Sequence, residues 1–478
     1  MKTKSTFKYI LIFAVTLFIF SCSKENNNTK TAPENSLKKL TIFHINDQHG
    51  QLTNFAKIKD IVAKAKKETN VLLVCSGDIF SGNPVVDNHA EKGFPMIDLM
   101  NKTGFDISVI GNHEFDYGES ILKDRFNQSE FNWICANVNM DNSEIPELDE
   151  YKTISIDDLK ITFLGLVETN GKEDAIIPST HPWRVQNLTF EKYQNVISNY
   201  ADLKETENAD LYVALTHLGK SSDYNIANNY PYFDLIIGGH SHSILDTKIN
   251  NIPIYQAGAN LNYLGKIELE IENKTIINSN YTLIDLNEYQ DYDNTIKDLI
   301  DTYNVNANLD EVIGFSEAFH NSSRVGSFYT DALRIQMNVD IAFQNTGGIR
   351  NTLNEGDILK NEIYSIDPFN NGSVIYTMSV AEIKNFLKNS KASIYYSGIY
   401  ITQENNTIII KNKEHQILND NETLTIGLND YIPAVYDTYF TKTPTLLPNT
   451  TAETLIEFLE NTTTPINYTQ VDSYFKYE

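Results

Sequence analysis

Five of the ten histidines in this 478-residue chain stand in short clusters with aspartate, asparagine and glycine. In order these read Asp47-Gln48-His49, Gly77-Asp78, Asn112-His113, Thr216-His217 and Gly239-His240-Ser241-His242. On an extended segment an Asp-x-His or His-x-His pair directs both side chains to one side, at a spacing that can embrace one ion. Imidazole nitrogens combined with carboxylate oxygens suit a borderline divalent ion such as Zn²⁺ or Mn²⁺. One carboxylate, here Asp78, offers two oxygens and can bridge two ions, and the side-chain carbonyl of Asn112 adds a neutral ligand. A bridge together with Asp47, His49, Asn112, His217, His240 and His242 is too many ligands for one tetrahedral site. The set fits two ions about 3.5–4 Å apart. Any one of these histidines alone would read as an ordinary hydrogen-bonded loop residue; their joint placement beside glycine, at the ends of apolar runs, points to a dinuclear centre.

Those apolar runs define the elements that must position the clusters. β-type runs occupy 39–46, 70–76, 106–110, 161–166, 210–216 and 234–239, with helical patterns at 54–67, 95–101, 120–126 and 190–207. This alternation predicts an α/β sandwich with ligands gathered outside the strand ends, where the loops converge. Residues 287–310 are acidic and helical without a strong apolar face, which suits a linker helix. A second α/β segment follows over 311–478, with strands near 339–345, 373–379 and 423–429. No internal repeat relates it to the first, so it is a second, different domain, and the first spans 37–286.

Residues 1–21 form a different object. Lys2, Lys4 and Lys8 precede an apolar run from Tyr9 to Phe20, too short for a comfortable membrane span, as in a signal peptide. Its end, Ile19-Phe20-Ser21-Cys22, resembles a bacterial lipobox, which implies lipidation of Cys22 after cleavage. The polar stretch 22–36 is then a tether. Its Ser23-Lys24-Glu25 start resembles the export signal of lipoproteins on the outer surface of Bacteroidetes-type bacteria. The expected location is therefore the outer membrane or cell surface, the periplasmic face included, with a lipid anchor as the membrane contact. The formal charge of −25 becomes −25 − 3 = −28 once the three signal-peptide lysines are removed. That balance disfavours binding of nucleic acid as a polymer. Cys75 and Cys135 lie in apolar runs and are expected to be buried free thiols.

GDIFSG, GNHEFD and GGHSH, preceded by NDQHG and with THLG between, resemble the five motifs of the metallophosphoesterases. The longer strings FHINDQHG, IGNHEFDYG, DLIIGGHSH and QAGANLNYLGKIEL are similar to those of its 5′-nucleotidase and UDP-sugar hydrolase branch. The resemblance implies a four-layer α/β/β/α sandwich followed by a second α/β substrate-binding domain. It implies that Asp47, His49 and His242 hold one divalent ion, that Asn112, His217 and His240 hold the other, and that Asp78 lies between them with Gln256 close by. It further implies a catalytic dyad in which Asp116 orients His113, and His113 stabilises the transition state or protonates the leaving oxygen. On an extended chain His113 would point opposite to Asn112, towards substrate.

The second domain carries three of the five arginines, and lysine outnumbers arginine 33 to 5. A glycine turn ending in Arg350, NTGGIR, suits close backbone approach to a ligand and a guanidinium fork on phosphate. It resembles the family's substrate loop, which implicates Asn345 and Arg350. DPFNN and NDYIPAVYD resemble two further loops, implying Phe369 and Tyr431 as a base-stacking pair, Asn371 beside them and Asp437 on the ribose. Two departures stand out. Val435-Tyr436 replaces the family's Gly-Gly, adding bulk, and Phe319-His320 stands where the family has an arginine, for which Arg324 is the expected substitute. The function these resemblances imply is hydrolysis of nucleoside 5′-monophosphates. Sibling activities are 2′,3′-cyclic phosphodiesterase with 3′-nucleotidase, or nucleotide-sugar hydrolysis; thiosulfate-ester hydrolysis uses the same architecture. A different class is a surface nucleotide-binding protein with a relict site, against which the intact ligand set argues.

Overall fold

Along the strand Lys38–Ile45, Leu40 and Ile42 face one way and Phe43 and Ile45 the other, and all four are buried. A strand apolar on both faces must lie in a layer covered on both sides. The computed structural model describes residues 37–478 and shows that covering; the expected signal peptide, the expected tether and Cys22 lie outside the described residues. Lys38–Ile45 pairs in parallel with Asn70–Cys75 within a six-stranded sheet that continues through Ile107–Val109 to Asn132–Ile134. A second six-stranded sheet is built on Leu159–Val167, Leu211–His217, Leu235–Ile237 and Ile252–Ala257, all mutually parallel. The two sheets face each other through one apolar layer that includes Ile42, Val74, Val109, Phe163, Val213 and Ile237.

Helices close both outer faces. Phe55–Ala65 and Phe94–Thr103 cover the first sheet, and Lys220–Asn229 covers the second, which gives the four-layer α/β/β/α sandwich. The helix expected over 190–207 is instead three short pieces, Tyr193–Val196, Ile197–Tyr200 and Leu203–Thr206. Its apolar stripe lapses between the buried residues Ile197 and Leu203, so nothing holds one continuous axis against the sheet. The linker helix, Asn294–Ala307, has an apolar face after all: Ile296 and Ile300 are buried in the core beneath Phe55–Ala65.

A third six-stranded sheet forms the second α/β domain, in the order Thr445–Thr450, Gly372–Ser379, Thr423–Asn429, Ile341–Asn345, Ser393–Ser397 and Tyr474–Lys476. Ser322–Gln336 and Thr451–Asn461 pack on one face and Val380–Asn389 on the other. Because Ile341–Asn345 and Thr423–Asn429 run in parallel and Ser373 pairs with Asn429, three loops meet at one end of the sheet's central strands. These are the NTGGIR turn, the DPFNN loop and the start of the short helix Tyr431–Val435.

Candidate metal centre and cleft

Every residue of the expected ligand set follows the C-terminal end of a parallel strand, or, for His217, is its last residue. The way they converge differs from the extended geometry the spacing suggests. Asp47 (φ 53°), His49 (49°), Asp78 (56°), His240 (75°) and His242 (51°) all sit in the left-handed backbone region. Such conformations are uncommon for non-glycine residues, store about 1–3 kcal/mol each, and cluster at functional sites. They fold the loops back over the strand ends, and hydrogen bonds lock them there. The Asp47 N–H donates to the Gly77 carbonyl (3.0 Å), Gln48 N–H to that of Asp78 (2.7 Å) and Gly50 N–H to that of Ile79 (2.9 Å). Gly111 must be glycine, because a Cβ there would overlap the Asp78 carboxylate and backbone.

The side chains form two adjoining sets. In one, His242 Nε2 lies 2.9 Å from His49 Nε2 and 3.4 Å from Asp47 Oδ1. In the other, Asn112 Oδ1 lies 3.1 Å from His217 Nε2 and 2.9 Å from His240 Nδ1. Asp78 stands between them, its Oδ2 3.0 Å from His217 Nε2 and 4.0 Å from His49 Nε2. The same oxygen faces both sets, since Oδ1 accepts the His113 N–H at 2.9 Å. Lone-pair donors converging on two points are what two divalent cations require, and the next layer fits as well. His217 Nδ1 donates to the Ser76 carbonyl at 2.6 Å, which leaves Nε2 free to ligate. Asn112 Nδ2 donates to the Ser179 carbonyl at 3.0 Å, which turns Oδ1 inward. Burial alone would push the Asp78 carboxyl up, but His217 and His113 outweigh it and hold it well below the usual range. Burial pushes His49 down to about 4, keeping its ring neutral for ligation. Gln256 stays in the layer behind: it accepts from Ser241 (2.8 Å) and donates to the buried Asp223 (2.7 Å).

His113 and Asp116 occupy a 3-10 turn, His113–Phe115 and its cap, so their proximity comes from i,i+3 eclipsing and not from strand alternation. His113 Nδ1 donates to Asp116 Oδ2 at 2.6 Å. Burial would lower the His113 pKa, yet Asp116 and Asp78 raise it to about 10. Asp116 is itself held by the Ser81 hydroxyl (2.5 Å to Oδ2) and the Thr180 hydroxyl (2.8 Å to Oδ1). Between them, the fully buried Glu114 accepts the N–H groups of Asp78 (3.0 Å), Ile79 (2.6 Å) and Gly111, tying two ligand loops together. Its place inside the GNHEFD string was a signal for this role that residue type alone did not give.

The dyad also lines a cleft of about 380 Å³. One wall is His113, Asp116, Thr180, His181 and Arg184; the other is Asn345, Arg350, Phe369, Asn371 and Tyr431. The Arg350 guanidinium lies over the Phe369 ring at 5.5 Å. Asn429 Nδ2 bonds Asn345 Oδ1 at 2.9 Å while its Oδ1 accepts the Ile432 N–H at 3.0 Å, so one side chain fixes the NTGGIR turn to the helix bearing Tyr431.

Two expected substrate residues stand elsewhere. Arg324 is turned to the Val471 carbonyl and Asp472, because it lies in the first turn of a helix whose start faces the C-terminal segment. Asp437 is exposed and paired with Lys172 at 3.0 Å; it does not line the cleft. The Tyr436 ring packs edge-on against Phe386 at 5.5 Å, so its bulk enters the core. The arginine that does reach the cleft beside Arg350 is Arg184. Scarcity was its only sequence signal, for it is one of five.

Residues 40–243 match the calcineurin-like phosphoesterase family and residues 304–441 the 5′-nucleotidase C-terminal domain. The trifunctional nucleotide phosphoesterase protein YfkN of Bacillus subtilis is 24% identical over 88% of this chain, which spans only 33% of YfkN's length. A 5′-nucleotidase of Vibrio parahaemolyticus is 24% identical over 79% of this chain and 80% of its own. The crystal structure of a 5′-nucleotidase precursor from Thermus thermophilus superposes with a TM-score of 0.70 at 20% identity, covering 88% of this chain and 96% of that one. At that identity the likeness concerns the fold.

Proposed function

Because the chain belongs to the family that joins a calcineurin-like phosphoesterase domain to a 5′-nucleotidase C-terminal domain, we propose that it hydrolyses nucleoside 5′-monophosphates to nucleoside and phosphate. One observation carries this reading: a single cleft has the His113–Asp116 dyad on one wall and Arg350, Phe369 and Tyr431 on the other. Asp47, His49 and His242 would hold one divalent ion, Asn112, His217 and His240 a second, and Asp78 both. Bound there, the ions supply Lewis acidity towards the phosphoryl oxygens and the attacking water. Arg350 holds phosphate oxygens with a charged fork. Phe369 and Tyr431 take the base between aromatic faces, with Asn345 and Asn371 offering amides to the nucleoside. Asp116 keeps the His113 ring oriented through Nδ1, so its other nitrogen can donate to the ester oxygen as the P–O bond breaks and the nucleoside leaves as an alcohol. A second reading is 2′,3′-cyclic phosphodiesterase with 3′-nucleotidase activity, or nucleotide-sugar hydrolysis; the first is supported by the likeness, 28% identity over 44% of this chain, to a Haemophilus influenzae protein described as a 2′,3′-cyclic-nucleotide 2′-phosphodiesterase/3′-nucleotidase.

The clamp is tested by replacing both rings. Each stacked ring contributes about 1–3 kcal/mol, so Phe369→Ala with Tyr431→Ala is expected to lower kcat/KM on AMP sharply. The loss on p-nitrophenyl phosphate should be far smaller. Equal losses on both esters would remove the clamp from the account.

Export and anchoring through Cys22 belong to the same proposal and are supported by the lipobox-like sequence. Wild-type protein is expected in the detergent phase with membranes and Cys22→Ser in the soluble fraction; soluble wild-type protein would exclude the anchor.

A further inference from the structure

Three consecutive residues of the first domain touch the ligand set, the dyad and the second domain in turn. The Ser179 carbonyl accepts from Asn112 Nδ2 at 3.0 Å, and the Thr180 hydroxyl donates to Asp116 Oδ1 at 2.8 Å. His181 Nε2 stands 3.1 Å from Asp430 Oδ1, next to Tyr431. The segment is fixed from behind. Ser179 N–H and Asn170 N–H donate to the two oxygens of the buried Glu168, at 2.5 and 2.6 Å. Trp183 N–H donates to His181 Nδ1 at 3.2 Å, so Nδ1 is an acceptor and the ring proton sits on Nε2, facing Asp430. The His181 side chain is only 6% exposed and that of Asp430 13%; the two approach within ion-pair distance without hydrogen-bond geometry, neither His181 Nε2 nor Asp430 Oδ1 has a hydrogen-bond partner, and Arg184 Nη2 stands 3.9 Å from Asp430 Oδ2. With no other partner for the buried Nε2 and Oδ1, the contact across the cleft is what offsets their desolvation, and Arg184 adds a second, longer ion pair from the same wall. Beyond Asp430 the wall is continuous: its N–H donates to the Gly372 carbonyl at 2.9 Å, and its neighbour Asn429 joins the NTGGIR turn.

We propose that His181 is a positioning residue that sets the nucleoside-binding wall in register with the dyad. Pairing with Asp430 fixes the Tyr431 helix, while the adjacent Thr180 fixes Asp116. Leaving-group binding and leaving-group protonation thereby share one rigid segment. This rests on the nucleotide reading.

A double-mutant cycle on the full-length, metal-loaded protein tests it, with His181→Ala, Asp430→Ala and the pair assayed on AMP and on p-nitrophenyl phosphate. Each single change is expected to lower kcat/KM on AMP by about tenfold, with the pair no worse than the poorer single, as for two groups in one interaction. The loss on AMP should exceed that on p-nitrophenyl phosphate, and His181→Gln, whose amide N–H can reach Asp430, should recover most of it. Additive losses, or equal losses on the two esters, overturn the proposal. Failure of the nucleotide reading shows separately, as a wild-type enzyme without preference for AMP before any substitution is made.

Discussion

Asp78→Asn is expected to leave a folded protein that has lost most of its divalent metal and more than about 100-fold in activity, beyond the 10- to 100-fold typical of residues one layer behind the ligands. The side chain is almost wholly buried, and one oxygen faces both ligand sets. Asparagine can still accept the His113 N–H through its amide oxygen, and it tolerates the left-handed backbone at this position better than most residues. The charge shared by two cations is what disappears. Elemental analysis, phosphate release and a thermal melt on the same preparation separate the outcomes. A variant with full metal content would remove Asp78 from the bridging position, and one that fails to melt cooperatively would be replaced by Asp47→Asn, which takes a ligand from one set only.

His113→Ala is the counterpart in which metal stays and chemistry goes. His113 lines the cleft and its Nδ1 is committed to Asp116, so its remaining nitrogen is the group placed for proton donation. Removing such a group lowers kcat by about 10²–10⁴. Because His113 contacts Asp78 through its backbone N–H, which alanine retains, both ions should still bind. Unchanged kcat would remove His113 from the chemistry, and metal lost in step with activity would place it in the ligand set beside His49 and Asp78; either result overturns the dyad.

The sandwich was legible because its strands are short, apolar and bounded by glycine-rich clusters, and periodicity alone reports such elements. The ligand identities were legible for a related reason: histidine and aspartate at successive strand ends have few other uses. Their geometry was not. Extended alternation suggested the convergence at Asp47-x-His49 and His240-x-His242, whereas the chain achieves it with left-handed residues that spacing cannot reveal. The second domain was read less well, since a substrate contact depends on where a loop turns. Arg324 sits in a plausible sequence position yet faces the C-terminal segment, while Arg184 and His181 reach the cleft from a stretch without regular periodicity. Glu114, Ser81 and Thr180 act through hydrogen bonds to backbone or to the dyad, and such pairings arise only in three dimensions.

A cleft that selects a nucleoside leaving group must show that preference in phosphate release by the wild-type, metal-loaded protein. Two stacked rings at about 1–3 kcal/mol each correspond to a preference of roughly 30-fold or more. AMP is therefore predicted to exceed glycerol phosphate in kcat/KM by at least that factor. Equal kcat/KM on the two would contradict the account and leave a general phosphoesterase on this fold.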